Sequence, residues 1–564
     1  MVQRTGAQIL VDQLVRQGVR NIFCVPGESY LATLDALHDA PIEVTACRHE
    51  SGATIMAEAI GKLTGRPGIC FVTRGPGATN ASAGLHIARQ DSTPLVLFVG
   101  QVARRMRGRE AFQELDYPAV FNSICKWVVE VDDPRRLPEL VSRAFQTAMA
   151  GRPGPVLVAL PEDVQTESCE VADAAPVEAI EAFPSASQLD ALAERLNAAQ
   201  RPVAIVGGSR WNAGAAQQFT AFAERFALPV HCSFRRQMLF DHEHPNYAGD
   251  VGLGINPKIL QRITEADLIL LVGGRFSEVP SQGYSLLQIP NPRQHLIHVH
   301  ADPDELGRIY HPGLAINATP AGFAASLSSL AAVVNASRVE HTAQAHRDYL
   351  GWSDPKAVST PGSLQPAEVV CQLQGALPDN AIITNGAGNF ASWVHRFWRH
   401  RSYGTQLAPT AGSMGYGVPA AIGAKRLYPD RTVIAFTGDG DFLMTGQEFA
   451  TAVQYRLPVI IVLIDNGMYG TIRMHQEMKY PARVSATMLR NPDFADYARA
   501  FGGHGERVTR TEDFAAAFER ARASNLPAIL HCIIDPEAIT PSATLTELRE
   551  RAVLQQARQA SSLE

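Results

Sequence analysis

The chain has 564 residues, of which 46% are hydrophobic and 19% are charged, a composition typical of a globular protein and not of a disordered or fibrous one. Chains of this length usually form about three domains of about 100 to 200 residues each. The formal net charge of −6 at pH 7 provides no basic surface for a nucleic acid.

No stretch of the chain predicts export or insertion into a membrane. The first residues have the spacing of an amphipathic helix, and the longest apolar runs, such as LPVIIVLI, have the length of strands. Eight cysteines are scattered without CxxC spacing, so we expect buried thiols in a cytoplasmic protein. We therefore expect neither a nucleic acid nor a membrane as a partner.

Strand-like runs alternate with helical segments along the whole chain, as in RPVAIVGG, ADLILLVGG and HLIHVHAD. This alternation predicts an α/β fold with doubly wound parallel sheets. Two stretches, residues 171–187 and 353–366, have the composition of linkers. They divide the chain into a predicted first domain at 1–170, a central domain at 188–345, a third domain at 365–540 and a tail at 541–564.

The first and third domains resemble each other. In both, a strand that ends in Thr leads to a Gly-rich turn, a helix and a Pro that opens the next strand. Thr73 and Pro94 are 21 positions apart, and so are Thr437 and Pro458. We therefore predict two copies of one α/β domain on either side of a Rossmann-like domain, with a shared site at the carboxyl ends of the strands.

The stretch FTGDGDF places two acids between glycines directly after an apolar strand. An Asp-Gly pair in this position is also typical of a simple hairpin turn. Asp439 and Asn466 are 27 residues apart, one βαβ unit, so both side chains are predicted at the carboxyl edge of adjacent strands. Their oxygens suit Mg²⁺, and a helix expected to begin near Thr445 would favour an anion such as a diphosphate.

The sequence Gly438-Asp439-Gly440, followed after 25 residues by Asn466, resembles the metal motif of thiamine diphosphate enzymes. The resemblance implies that Asp439, Asn466 and the backbone carbonyl of Met468 bind Mg²⁺. It also implies that thiamine diphosphate contacts residues of the first and third domains, namely Pro76, Asn80, Gly388, Asn389, Met414, Gly438, Gly440, Asp441 and Met468.

The stretch CRHESGATIMAEAIGK resembles the pyrimidine-binding domain of the acetolactate synthase branch of that family. Glu50 falls on the glutamate that hydrogen-bonds N1′ of the aminopyrimidine and so promotes removal of the C2 proton. The alternative for Glu50 is a solvated residue in the first turn of a helix. Met414 falls where a large apolar residue bends the cofactor, and a Met that fills the core is its alternative.

The resemblance to acetolactate synthase large subunits extends from Gln8 to about Pro536. In EAFQELD it implies that Gln113 approaches the reacting carbonyl, whereas a polar residue in a solvated loop is the alternative. Two residues depart from that branch. His475 replaces a tryptophan that shapes the acceptor pocket, and Glu28 replaces a small residue, where its carboxyl either relays protons or caps the following helix.

The central domain resembles the region that holds FAD in acetolactate synthases and ADP in oxalyl-CoA decarboxylases. VGGRFSE, with Arg275, and HADPDE, with Asp302, follow that pattern. Arg235 and Arg236 depart from it, because small or apolar residues are usual there, and they face either a phosphate or solvent. FAD, ADP and an empty site are therefore all left open.

The resemblance implies an acetolactate synthase-like carboligase that decarboxylates a small 2-oxo acid such as pyruvate and transfers the activated aldehyde to an acceptor carbonyl. The alternative is a lyase or hydrolase that cleaves a C–C bond in a 2-hydroxy ketone, a 1,2-dione or a 2-hydroxyacyl-CoA. In enzymes of this family two subunits share each cofactor, so we expect a homodimer or a homotetramer.

Overall fold

The computed structural model describes residues 2–561, so the last three residues of the predicted tail lie outside the described residues. This part of the chain contains three six-stranded sheets, each parallel throughout, and one two-stranded ribbon. The predicted fold class is therefore confirmed, whereas the exact domain boundaries stay a prediction.

The first sheet consists of β1 (Asn21–Cys24), β2 (Glu43–Ala46), β3 (Gly68–Val72), β4 (Leu95–Gln101), β5 (Trp127–Glu130) and β6 (Pro155–Pro161). Its strand order is β2-β1-β3-β4-β6-β5. The helices around it are α1 (Gly6–Arg16), α2 (Leu31–His38), α3 (Glu50–Thr64), α4 (Gly75–Asp91), α5 (Tyr117–Phe121), α6 (Leu137–Met149) and α7 (Glu162–Thr166). Strands β3, β4 and β6 are buried at every residue, as expected for parallel strands covered by helices on both faces.

The central sheet consists of β7 (Pro202–Val206), β8 (Val230–Ser233), β9 (Tyr247–Val251), β10 (Leu268–Val272), β11 (His295–His300) and β12 (Leu314–Asn317). Its order is β9-β8-β7-β10-β11-β12, which is the order of a Rossmann fold. The accompanying helices are α8 (Ala186–Ala198), α9 (Ala213–Arg225), α10 (Pro257–Glu265), α11 (Pro320–Ala325) and α12 (Ala336–Trp352).

The third sheet consists of β13 (Ile382–Asn385), β14 (Gln406–Leu407), β15 (Val433–Gly438), β16 (Ile460–Asp465), β17 (His504–Val508) and β18 (Ala528–Ile533). Its order, β14-β13-β15-β16-β18-β17, repeats the order of the first sheet strand for strand. The internal repeat therefore predicts the topology correctly. The helices are α13 (Pro366–Ala376), α14 (Phe390–Phe397), α15 (Gly417–Leu427), α16 (Asp439–Phe442), α17 (Phe449–Gln454), α18 (Gly470–Lys479), α19 (Phe494–Ala500), α20 (Thr511–Ser524) and α21 (Leu545–Ser561).

Two of the general expectations can be compared with the structure. Six of the eight free cysteines are buried, but Cys169 and Cys371 are partly exposed, so the expectation of uniformly buried thiols is wrong for these two. Both lie on the outer layer of their domains, in a two-residue strand and in helix α13. Within residues 2–561 no helix combines the length and the apolar character needed to cross a membrane.

The first and third domains of one chain pack through α3 and α15, whose residues share one hydrophobic core. The helices approach so closely that a Cβ built on Gly423 would lie 2.6 Å from the backbone oxygen of Met56. Only a glycine allows this contact without a shift of one backbone. The packing fixes α3, and with it Glu50, relative to the third sheet.

We expect Gly423→Ala to lower the melting temperature, because the new methyl group must push α15 away from α3 at a cost of about 1 to 3 kcal/mol. Gly375→Ala is the matched control, since a Cβ built on Gly375, in α13, would meet no neighbouring atom within 4 Å. This control should be stabilising by about 0.5 to 1 kcal/mol, the usual gain of Ala over Gly in a helix. Scanning calorimetry distinguishes the two, and equal shifts would contradict the close packing.

Candidate active site

A cavity of about 710 Å³ lies where the three domains meet. Its size is within the usual range of ligand pockets. The third domain contributes the edge of its sheet, including Met414, Gly438 to Asp441, Asn466 and Met468. The central domain contributes Arg235, Arg236 and Arg275, and the first domain contributes the end of α4 near Asp91.

Asp439 and Asn466 lie at the carboxyl ends of neighbouring strands, as their spacing predicts. Asp439 directly follows β15 and Asn466 directly follows β16, and the two strands pair in parallel through Gly438 and Ile464. The Nδ2 atom of Asn491 donates to Asp439 Oδ2 at 2.7 Å and to Asp465 Oδ1 at 2.9 Å. Burial raises the pKa of Asp439 to about 6, and the hydrogen bond from Asn491 opposes that rise.

The helix expected near Thr445 does not begin there. Helix α16 begins at Asp439 itself and ends at Phe442, residues 446–448 form a 3₁₀ turn, and α17 begins at Phe449. Position 446 accepts only a glycine without a shift of its neighbour, because a Cβ there would lie 2.6 Å from the ring of Phe442. The simple hairpin interpretation is also wrong, since β15 continues into a helix and pairs in parallel.

The glycines predicted to contact the cofactor allow the backbone of the cavity wall to pack directly against aromatic rings. A Cβ on Gly440 would lie 2.6 Å from the ring of Tyr469. A Cβ on Gly438 or on Gly388 would lie 2.8 Å or 2.7 Å from the ring of Phe390. Side chains at these positions would displace the rings or fill the edge of the sheet, so the backbone stays accessible from the cavity.

Asp441 lines the same cavity, but its oxygens are used inside the protein. Oδ1 accepts from the backbone N–H groups of Ala387 at 3.0 Å and Gly415 at 2.9 Å, and Oδ2 accepts from Thr437 Oγ1 at 2.6 Å. Burial raises the pKa of Asp441 to about 6, opposed by these three hydrogen bonds. The carboxylate thus ties the loop after β13, the loop that carries Met414 and the end of β15 to one another.

Met414 and Asn389 face the cavity from two further loops. Met414 lies between Gly412 and Gly415, which have φ angles of +67° and +80°, and it is partly exposed in the cavity rather than packed in the core. Its alternative as a core residue is therefore wrong. The Oδ1 atom of Asn389 accepts from Thr471 Oγ1 at 2.9 Å, which joins the start of α14 to α18.

A second set of predicted residues lies at the carboxyl edge of the first sheet. Glu50 is the first residue of α3 and is only 8% exposed, so it is not the solvated residue of the alternative interpretation. Asn80 Nδ2 donates to Glu50 Oε2 at 3.0 Å, and Pro76 lies in the first turn of the same helix α4. Gln113 has a φ angle of +62° and accepts at its carbonyl from the N–H of Gly75 at 3.0 Å, beside this helix start.

Glu28 lies at the same edge and is largely exposed. It opens a 3₁₀ turn and makes no capping hydrogen bond, so the helix-cap alternative is wrong. Its Oε1 accepts from Arg74 at 3.2 Å, and Arg74 also binds Glu162. The carboxyl of Glu28 is therefore paired with the guanidinium of Arg74, a contact that no motif of the sequence predicts.

The structure does not bring the two sets together in one chain. Glu50, Asn80, Pro76 and Gln113 do not line the cavity of the third domain. His475 is exposed on α18, one turn beyond the residues of that helix that reach the cavity. The two groups of predicted site residues therefore lie on separate edges of the chain.

The central-domain residues differ in their positions. Arg275 lines the cavity and donates to the carbonyl of Gln90 at 2.9 Å. Asp302 does not line it and instead accepts from the N–H of Asp304 at 3.1 Å, at the start of a 3₁₀ turn. Arg235 and Arg236 are buried in the cavity wall, so the solvent alternative for them is wrong.

Asn491 and Asp465 are functional candidates that the sequence does not reveal. Asn491 donates hydrogen bonds to the carboxylates of both Asp439 and Asp465. Asp465 also contacts His531 Nε2 at 2.9 Å. Asp465 directly precedes Asn466, and this adjacency is the one signal that could have found it. Asn491 comes from a loop 25 residues further on, and no spacing or motif connects it with the site.

Comparisons with known proteins identify the class of protein that has this fold and these edges. The family model for the N-terminal TPP binding domain of thiamine pyrophosphate enzymes matches residues 4–120, that for their central domain matches 189–329, and that for their C-terminal TPP binding domain matches 386–532. The chain therefore belongs to the thiamine pyrophosphate enzymes.

Particular relatives extend over almost the whole chain. The acetolactate synthase isozyme 2 large subunit of Escherichia coli is 33% identical over 97% of this chain and 99% of its own length. The isozyme 1 large subunit of the same organism is 34% identical over 96% of this chain and 97% of its own length. The acetolactate synthase large subunit of Parasynechococcus marenigrum is 34% identical over 91% of this chain and 86% of its own length.

We expect Asp439→Ala to lower the affinity for thiamine diphosphate by more than about 100-fold, because it removes the carboxylate that faces the cavity beside Asn466. Calorimetric titration in a buffer that contains magnesium measures this affinity. Asp348→Ala is a matched control, since Asp348 is a paired acid of the central domain that does not line the cavity. Circular dichroism should find both variants folded. Unchanged affinity of Asp439→Ala would contradict the role of this edge.

Proposed function

We propose that this protein is an acetolactate synthase-like enzyme that decarboxylates a small 2-oxo acid of the pyruvate type and transfers the resulting two-carbon unit to an acceptor carbonyl. The observation that carries this proposal is the similarity to acetolactate synthase large subunits along nearly the full length of both chains, and the presence of Glu50, Asp439 and Asn466 in the sequence supports it. Free thiols at all eight cysteines favour a cytoplasmic location.

The third-domain edge fits a magnesium ion that carries a diphosphate. Asp439 and Asn466 would supply hard oxygens, Met468, whose carbonyl would be the third protein ligand, lines the same wall, and the remaining positions of an octahedral Mg²⁺ are suited to phosphate and water. Among residues 2–561 no cluster of three or more His, Cys, Asp and Glu side chains could hold a metal. A site with a single carboxylate fits a Mg²⁺ ion whose positive charge is balanced mainly by a bound diphosphate.

Thiamine diphosphate, when bound, supplies the electron sink for the loss of CO₂ and for C–C bond formation. The protein has to hold it and to move protons. Glu50 would hold a proton at N1′ of the aminopyrimidine, and the hydrogen bond from Asn80 fixes the orientation of its carboxyl group. Met414, held in its loop by Asp441 and by Thr445 Oγ1, which donates to Gly415 at 2.7 Å, would support the rings from the other side.

A homodimer, or a tetramer made of two such dimers, would complete this site. Glu50 and Asp439 lie on different edges of one chain, so one cofactor can reach both only if the edges of two chains face each other. Large apolar side chains are exposed beside both edges: Leu31 and Phe112 in the first domain, and Leu443, Met444 and Ile472 in the third. Exposed apolar surface of this kind is typical of a protein interface.

The substrate side of the site would consist of Gln113, Glu28 and His475. One observation favours the alternative reaction, cleavage of a C–C bond in a 2-hydroxy ketone, a 1,2-dione or a 2-hydroxyacyl-CoA. Glu28 presents an exposed carboxyl beside the guanidinium of Arg74 on the first-domain edge, and His475 is exposed on α18 of the third domain. If the edges of two chains face each other, these two groups would suit proton transfer to and from a hydroxyl group.

The central part of the cavity suits the nucleotide end of a cofactor, for which we propose FAD. Arg235, Arg236 and Arg275 supply positive charge, and the cavity continues from them to the metal edge. ADP or an empty site are the alternatives. A bound flavin would make the purified protein yellow, whereas a protein that stays colourless after incubation with FAD would contradict this assignment.

We expect the protein, loaded with thiamine diphosphate, Mg²⁺ and FAD, to consume pyruvate and to release CO₂ and acetolactate, because the site retains the groups needed for both steps. Product analysis by mass spectrometry after incubation with pyruvate alone, and with pyruvate plus 2-oxobutyrate, measures this directly. Glu50→Gln is the negative control. Turnover of acyloins or 1,2-diones without any consumption of a 2-oxo acid would contradict the carboligase and support the lyase.

A further inference from the structure

The carboxylate of Glu448 in the third domain binds the start of helix α3 in the first domain. Glu448 is fully buried at the end of a 3₁₀ turn, directly before α17. Its Oε1 accepts from the backbone N–H of His49 at 2.9 Å and from that of Arg48 at 3.1 Å. These two residues immediately precede Glu50, the first residue of α3.

The same segment of the third domain holds the rest of this loop. The N–H of Ala46, at the end of β2, donates to the hydroxyl of Tyr455 at 2.8 Å. The guanidinium of Arg48 donates to Gln454 Oε1 at 2.6 Å. Residues 448–455 therefore bind every residue from 46 to 49 except Cys47, whose N–H donates to Cys24 within the first sheet. The loop between β2 and α3 is thus fixed from both domains.

The surroundings of Glu448 are specific for a carboxylate in this position. Thr451 Oγ1 donates to its Oε2 at 2.6 Å, so both oxygens have partners. Gly52, in the first turn of α3, leaves room for it, because a Cβ there would lie 2.5 Å from Glu448 Oε1. Burial raises the pKa of Glu448, and the hydrogen bonds from Thr451, Arg48 and His49 act in the opposite direction.

We propose that Glu448 is a positioning residue for Glu50: its carboxylate fixes the backbone at which α3 begins and so places the Glu50 carboxyl group for proton transfer. Unpaired N–H groups at a helix start can be satisfied in several geometries, and a bound carboxylate selects one. Asn80 orients the Glu50 side chain from α4, whereas Glu448 orients its backbone. This inference rests on the proposed role of Glu50 toward the cofactor.

The test compares five variants by the exchange rate of the C2 proton of bound thiamine diphosphate, read by NMR after acid quench. Glu448→Ala removes both acceptor oxygens, and misplacement of Glu50 should slow the exchange by roughly 10-fold or more. Glu448→Gln keeps one acceptor oxygen and should restore part of the rate. Glu58→Gln is the matched control, because Glu58 is buried in the same helix and binds the third domain through Tyr416, but lies two turns from Glu50.

A second readout needs no cofactor. Hydrogen–deuterium exchange of the free protein should find residues 46–50 less protected in Glu448→Ala than in the wild type or in Glu58→Gln, because the N–H groups of Arg48 and His49 lose their acceptor. If Glu448→Ala fails to fold, Gly52→Ala decides in its place, since its methyl group displaces the Glu448 carboxylate without removing the charge.

The fifth variant, Glu50→Gln, separates the proposed role of Glu448 from that of Glu50. Slow C2 exchange in Glu50→Gln together with wild-type exchange in Glu448→Ala and Gly52→Ala would overturn the positioning role and leave Glu448 as an ordinary contact between domains. Wild-type exchange in Glu50→Gln would instead overturn the proposed role of Glu50. Slow exchange in Glu448→Ala, partial recovery in Glu448→Gln and an unchanged rate in Glu58→Gln would support the inference.

Discussion

The candidate site depends first on one buried carboxylate, that of Asp441. It accepts hydrogen bonds from Ala387 and Gly415, in two loops, and from Thr437, at the end of strand β15. A buried carboxylate is stable only when such donors surround it. The hydrogen bonds that keep this acid buried therefore also join the two loops to the end of β15, beside Asp439.

The same physical principle connects the two copies of the repeated domain. Glu448, which follows the Asp441 turn in the third domain, meets N–H groups of the first domain, and α15 packs on α3 at Gly423. Each chain thus uses its own third domain to fix its own Glu50. In our proposal, the third-domain edge that completes the cofactor site belongs to another chain. Contacts within a chain therefore position Glu50, whereas contacts between chains complete the site.

The sequence predicts those features that depend on local pattern, and misses those that depend on how loops pack. The duplicated topology and the adjacency of Asp439 and Asn466 follow from strand periodicity and from the length of one βαβ unit. The division of the predicted helix into α16, a 3₁₀ turn and α17 does not follow from the sequence, because no capping side chain marks the start of any of these three elements. Asn491 and Glu448 act through bonds to segments 26 and about 400 residues away, and no single-sequence pattern encodes such a partner.

The central claim is that Glu50 of one chain and Asp439 of another serve the same cofactor. Mixing the inactive variants Glu50→Gln and Asp439→Ala, and then allowing their subunits to exchange, tests it most directly. Random exchange makes about half of the dimers mixed, each with one intact site of two, so about one quarter of the wild-type activity should return. Wild-type enzyme taken through the same treatment is the control. If mass spectrometry finds mixed dimers and no activity returns, each chain builds its own site and the account is contradicted.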